Sequence, residues 1–136
     1  MRNLRVVGFL SALLFAASLI ATQHSIAAVE SVNPSNGWRI ECSGDAESAG
    51  TITFNVLPNK GQVIAVSVNI AKGRGENEVA KDIRDAFRAQ LPPDRFTAEA
   101  DDGEDVLLKK KSGQPDFAIE LASSTVEDVR LNLQRE

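Results

Sequence analysis

Apolar residues are spaced in two different ways along this chain, and together the two spacings predict one helix and seven strands. In residues 76–91 they recur every three or four positions. At about 100° of rotation per residue, six of them share one stripe about 140° wide: Val79, Ala80, Ile83, Ala86, Phe87 and Leu91. This pattern predicts an amphipathic helix with Gly75 or Asn77 as its N-cap, ended by Pro92 and Pro93.

Seven shorter stretches alternate apolar and polar residues, which is typical of strands with one buried face. The predicted strands are 38–42, 51–57, 63–70, 95–100, 106–111, 116–122 and 126–134. Thr125 also fits a helix start, but the period of two at Val129, Leu131 and Leu133 favours a last strand. The order β-β-β-α-β-β-β-β with mostly short connections predicts an α+β fold, in which the helix packs on a mostly antiparallel sheet.

Residues 1–28 have the layout of a cleaved secretory signal peptide. Arg2 and Arg5 precede an apolar run over 6–21, and small residues follow around Ala28. A membrane anchor is the alternative, but the run is shorter than the roughly 20 apolar residues that a spanning helix needs. No cysteine ends the run, which argues against a lipoprotein. We therefore expect a bacterial periplasmic or secreted protein whose single domain is residues 29–136.

The charge of that domain narrows the choice of partner. The full chain carries 15 basic and 19 acidic residues, and only Arg2 and Arg5 leave with residues 1–28, so the net charge becomes −6. A distributed negative charge argues against nucleic acid or an anionic membrane as the partner.

Histidine and cysteine are too scarce for the common catalytic sites. His24 is the only histidine and lies in the predicted signal peptide. Without it the domain lacks the base of Ser–His–Asp and Cys–His sites and the commonest ligand of zinc or copper. Cys42 is the only cysteine, so an intramolecular disulfide is impossible. Its place in a strand predicts a buried thiol; an intermolecular disulfide or a reactive thiol are the alternatives.

Four further features have both a structural and a functional interpretation. The acidic segment 101–105 contains Asp102-Gly103, a type I′ turn signal, and its four carboxylates also suggest calcium. Gly73-x-Gly75 at the helix start is a glycine loop or an anion cradle. Lys109, Lys110 and Lys111 form a solvated strand end that marks a sheet edge, or a site for an acidic ligand. Trp38 covers the core or serves as an exposed binding aromatic. We assign no catalytic, cofactor or metal residue.

These observations favour a non-enzymatic binding or interaction protein. The expected partner is another envelope or extracellular protein, contacted through a sheet edge or the outward strand faces. One alternative is a structural subunit that adds strands to its neighbours. Another is a small hydrolase using the carboxylates of 101–105: Asp101, Asp102, Glu104 and Asp105. Their clustering on one turn argues against the hydrolase, because an acid and a base must flank the scissile bond.

The signal peptide yields a first prediction. N-terminal sequencing of the exported protein should begin at Ala28 or Val29, since the small residues that signal peptidase requires end there. A mature protein that still begins at Met1 would contradict cleavage.

Overall fold

The computed structural model describes residues 33–136, so the predicted signal peptide lies outside the described residues. These residues form one helix, α1 (Glu76–Gln90), and seven strands. The strands are β1 (Gly37–Ser43), β2 (Gly50–Pro58), β3 (Ile64–Ile70), β4 (Phe96–Asp101), β5 (Asp105–Lys110), β6 (Phe117–Ser124) and β7 (Arg130–Arg135). The α+β class and the element order predicted from the sequence are confirmed.

The strands divide into two antiparallel sheets. One has the order β4-β5-β1-β7 and the other β3-β2-β6. Both predicted hairpins, β2–β3 and β4–β5, are present. The first strand does not pair with the second: β1 lies between β5 and β7, so both its partners come from the C-terminal half. The sequence pattern does not specify this division into two sheets.

The helix begins and ends where local chemistry predicts. Gly75 is the N-cap, and Glu76 and Glu78 lie in the first turn, where the helix dipole favours negative charge. At the other end Leu91 adopts an extended backbone conformation, and its N–H donates to the Phe87 carbonyl at 2.9 Å. Pro92 follows directly, and a residue before proline is driven out of the helical region. No helix within residues 33–136 has the length and apolar character needed to cross a membrane.

The apolar stripe of α1 and the inward faces of the two sheets bury one common core. Phe54 and Phe87 meet with ring centroids 5.4 Å apart, which joins the helix to β2. Phe96 and Phe117 meet edge to face at 5.2 Å, which joins the two sheets. All four phenylalanines of residues 33–136 are buried, as predicted. Their clustering shows that one core serves both sheets.

Three expectations about strand edges and loops are wrong. The polar sequence of the β1–β2 loop predicts flexibility, but Ala46 is only 2% exposed and its backbone pairs with Gly73 and Arg74. The lysine-rich strand β5 is not an edge, because it pairs with β4 and β1. Alternation predicts that Leu121 faces the core, yet it is 39% exposed. Leu121 still pairs with the buried Phe54, and a β-bulge at Ala122 follows it, because the next pair is Thr53 with Ser123.

The position of Phe87 predicts a large stability loss on truncation. Its side chain is 1% exposed, so Phe87→Ala should lower the free energy of unfolding by roughly 3–5 kcal/mol through lost contacts and a new cavity. Urea unfolding measures this. Lys81→Ala on the exposed face of α1 is the control and should change stability by less than about 0.5 kcal/mol. A loss below about 1 kcal/mol for Phe87→Ala would contradict the docking described above.

Candidate functional site

Trp38 is part of the core and is not a binding aromatic. Its side chain is 5% exposed, and its indole N–H donates to the Phe117 carbonyl at 2.8 Å. A buried indole requires such an acceptor, and here the acceptor is the first residue of β6. Trp38 therefore ties β1 of one sheet to β6 of the other.

The glycine loop before α1 is a structural connection. Gly73 has a φ of 88° and donates its N–H to the Ala46 carbonyl at 2.7 Å. The Arg74 guanidinium donates two hydrogen bonds, of 3.0 and 2.8 Å, to the Asp82 carboxylate of the helix. These bonds raise the pKa of Arg74. A Cβ on Gly75 would lie 2.7 Å from a Glu78 carboxylate oxygen. The helix start thus already has a carboxylate beside it, which disfavours the anion cradle.

The acidic turn between β4 and β5 is tied to an arginine on the outer face of the sheet. Arg39 of β1 contacts Asp105 at 2.6 Å, Asp101 at 3.1 Å and Glu136 at 2.8 Å. The hydrogen bonds to Glu136 and Asp105 raise the pKa of the Arg39 guanidinium further above its ordinary value. Two of the four carboxylates of segment 101–105, those of Asp101 and Asp105, are therefore paired with Arg39. The same guanidinium also binds Glu136.

The turn itself has the backbone that its sequence predicts. Asp102 and Gly103 both have positive φ, 47° and 81°, as the centre of a type I′ turn requires. The loop holds one residue more than a two-residue hairpin turn, since Asp101 pairs with Asp105. Within residues 33–136 no group of three or more histidine, cysteine or acidic side chains is arranged to hold a metal ion. The carboxylates of this segment lie side by side on one turn, an arrangement that does not form an acid–base pair across a bond.

The helix protects two of the four sheet edges with its own side chains. The amide of Gln90 donates to the Ser67 carbonyl at 2.8 Å and accepts from the Ser67 N–H at 3.0 Å, so it replaces a neighbouring strand along β3. Arg88 donates through Nε to the Ala98 carbonyl of β4 at 2.8 Å. The sequence predicts that Gln90 reaches a free carbonyl or water, and it places Arg88 on the wet face. The helix thus lies between the edges of the two sheets.

The other two edges, β6 and β7, lack this protection. Strand β7 pairs only with β1 and begins and ends with the charged residues Arg130 and Arg135. Charges of this kind discourage pairing with another chain. Strand β6 pairs with β2 on one side. On its other side the described residues provide one bridge, in which Ser35 pairs with Phe117 at 2.9 and 3.0 Å.

Within residues 33–136 the side of Ile119–Ser124 that faces away from β2 has no strand partner, and we call this side the β6 edge. Backbone groups alternate in direction along a strand, so the groups of Ile119 and Leu121 point to the same side as those of Phe117, away from β2. Residues 121–124 are exposed and uncharged, and Leu121 is one of two large apolar side chains exposed within residues 33–136. The β6 edge is therefore a row of backbone donors and acceptors beside an accessible leucine.

Comparison with models of known protein families finds no match, and comparison with curated proteins finds no significant match. The candidate site therefore depends on the geometry of this chain. Sequence reasoning missed the β6 edge because it placed Leu121 in the core. A sequence feature does mark it: residues 121–125 form a strand end with no charge, proline or glycine.

Cys42 is a buried thiol, as the alternation in β1 predicts. It is free and 1% exposed, and burial raises its pKa to about 12. A thiol with that pKa forms very little thiolate at neutral pH, and the thiolate is the reacting species. The burial of Cys42 therefore favours a structural role for this thiol over an intermolecular disulfide or a reactive group.

The buried thiol predicts that Cys42 resists labelling. A thiol reagent at pH 8 should modify the native protein far more slowly than the same protein in urea, since reaction needs the core to open. Absorbance of the released chromophore measures both rates. Equal rates in the two states would contradict the burial of Cys42.

Proposed function

We propose that this protein is an exported, non-enzymatic interaction protein that binds another protein of the envelope or the extracellular space. The binding site is the β6 edge, and the ligand is an extended segment of the partner that joins the sheet as a strand beside β6. Export is supported by the layout of residues 1–28.

The contrast between the sheet edges is the observation that carries the proposal. Gln90 caps β3, Arg88 contacts β4, and arginines flank β7, whereas residues 121–124 of β6 are uncharged and have no strand partner on their outer side among residues 33–136. Natural proteins usually protect such edges, because exposed backbone groups pair with other chains. Among the described residues, β6 is thus the edge with neither a helix side chain nor a terminal arginine against it, and this contrast supports binding by strand addition.

The edge also indicates the chemistry of the partner segment. Main-chain hydrogen bonds to Ile119 and Leu121 would supply affinity without regard to sequence. Selectivity would come from the apolar surface of Leu121 and from the small side chains of Ala122 and Ser123, which leave room for a larger neighbour. The segment is therefore expected to be extended, with apolar residues at alternate positions.

The catalytic alternative has less support. The carboxylates Asp101 and Asp105 are both bound to Arg39, and a general acid or base has to be free to exchange a proton with the substrate. The structural-subunit alternative uses the same edge with a second copy of the chain as the neighbour. The experiment below separates a second copy from a different protein.

A photocrosslinking side chain at exposed Ala122, introduced in the exporting organism, tests the site. It should crosslink one specific partner that the same group at position 63 does not. The purified partner should lose affinity by about tenfold or more with Leu121→Lys, because a charge on the edge disfavours pairing. Val63→Lys is the matched control, since Val63 is the other exposed large apolar residue, at 56%. In the complex, the Ile119 and Leu121 amides should become protected from hydrogen exchange.

Three results would overturn the proposed partner or site. Equal binding by Leu121→Lys and the unchanged protein would move the site elsewhere. A crosslink to a second copy would make the protein a homo-oligomeric subunit. Full protection of the Ile119 and Leu121 amides in the isolated protein would mean that the chain itself already occupies the edge.

A further inference from the structure

The charged loops are separated between the two ends of the strands. The end with the β1–β2, β4–β5 and β6–β7 turns carries paired acidic residues on each of them: Asp45 and Glu47, Asp102 and Glu104, Glu127 and Asp128. These carboxylates are close together, and a hydrogen bond with Asp128 raises the pKa of Glu47. The opposite end carries Lys60, Arg95 and the lysines of residues 109–111. The net negative charge of the chain therefore does not extend to this second end.

Three loops meet at the basic end and are held together by backbone hydrogen bonds. The Lys111 N–H donates to the Arg95 carbonyl at 2.8 Å, and the Asn59 N–H donates to the Asp116 carbonyl at 2.8 Å. These bonds join the loops after β2, α1 and β5. The surface between them is therefore built by elements that hold one another in place.

A depression of about 510 Å³ lies between these loops. It is lined by Asn59, Lys60, Arg95, Gly113, Gln114, Pro115 and Asp116. Its one carboxylate, on Asp116, is paired with Lys110 at 2.9 Å. Lys60 and Arg95 form no ion pair within residues 33–136. The depression thus contains the cations of Lys60 and Arg95, the side-chain amides of Asn59 and Gln114, and the Asp116 carboxylate, whose charge is balanced by Lys110.

Arg95 is positioned by its surroundings. Its guanidinium carbon lies 5.7 Å from the centre of the Phe96 ring, where the face of the ring attracts a cation. On the other side, a Cβ on Gly61 would come within 3.9 Å of Arg95 Nη2, so the guanidinium lies beside the turn that carries Lys60. The two cations therefore border the same space from different loops.

We propose that this depression binds a phosphate group. A planar guanidinium and an ammonium together supply the donors that phosphate oxygens accept, and the side-chain amides of Asn59 and Gln114 offer more. The volume suits a phosphate monoester of a small molecule, because ligand pockets begin at about 300 Å³. A phosphate carried on a polymer presents the same chemistry. This site is separate from the β6 edge, which lies at the other end of that strand.

Amide chemical shifts of the mature protein, followed during titration at fixed ionic strength, test the proposal. Inorganic phosphate, a sugar phosphate and long-chain polyphosphate are the three probes. Saturable shifts are expected at Asn59, Gly113 and Gln114. The double variant Lys60→Gln, Arg95→Gln should bind about tenfold or more weakly, since hydrogen bonds from a charged donor to phosphate oxygens are the stronger ones. Lys72→Gln with Lys81→Gln removes the same charge from exposed sites elsewhere and should bind as the unchanged protein does.

The probes distinguish the source of the phosphate. Tighter binding of the sugar phosphate than of inorganic phosphate identifies a small monoester, and tighter binding of polyphosphate per phosphate group identifies a polymer. Shifts that do not saturate with any probe overturn the proposal, as does an equal loss in the control variant. Leu121→Lys should bind phosphate normally, so failure at this site and failure at the β6 edge are separable.

Discussion

The packing of one amphipathic helix between the edges of two sheets is the contact on which the rest of this structure depends. Phe87 reaches Phe54 of one sheet, and Gln90 and Arg88 satisfy backbone groups of β3 and β4 on either side. The helix therefore fills the core and also covers the edges of β3 and β4. On the opposite side the two sheets are joined without the helix, because Ser35 and Trp38 form hydrogen bonds with Phe117, the first residue of β6.

Local patterns predict the elements well, because each depends on residues close in sequence. The stripe from Val79 to Leu91 specifies the helix and its buried face, and proline chemistry specifies its end. Strand partners depend on contacts that are distant in sequence, and the pattern alone cannot assign β1 to β5 and β7. The same limit applies to Leu121: it pairs with the buried Phe54 as the alternation requires, but its 39% exposure depends on what packs over that part of the sheet, which distant contacts decide.

The sequence shows which types of catalytic side chain are scarce, but it says less about where a partner binds. With one histidine, one cysteine and no tyrosine, the composition by itself narrows the catalytic possibilities. The features that look most chemical in the sequence, namely the glycine loop, the acidic turn and Trp38, all have structural partners. Both proposed sites consist of groups that have no strand partner or ion pair among residues 33–136. At the β6 edge these are backbone groups, and at the basic end they are two cations on loops that only tertiary contacts bring together.

The capping of β3 and β4 by helix side chains has a consequence for how the chain folds. A hairpin forms from local contacts, so β2–β3 and β4–β5 can pair before the more distant contacts are made. Until the helix docks, the Ser67 and Ala98 carbonyls remain open to any strand nearby, and a sheet edge in this state is prone to aggregate. Docking of residues 76–90 covers both carbonyls and at the same time buries Phe87 in the core.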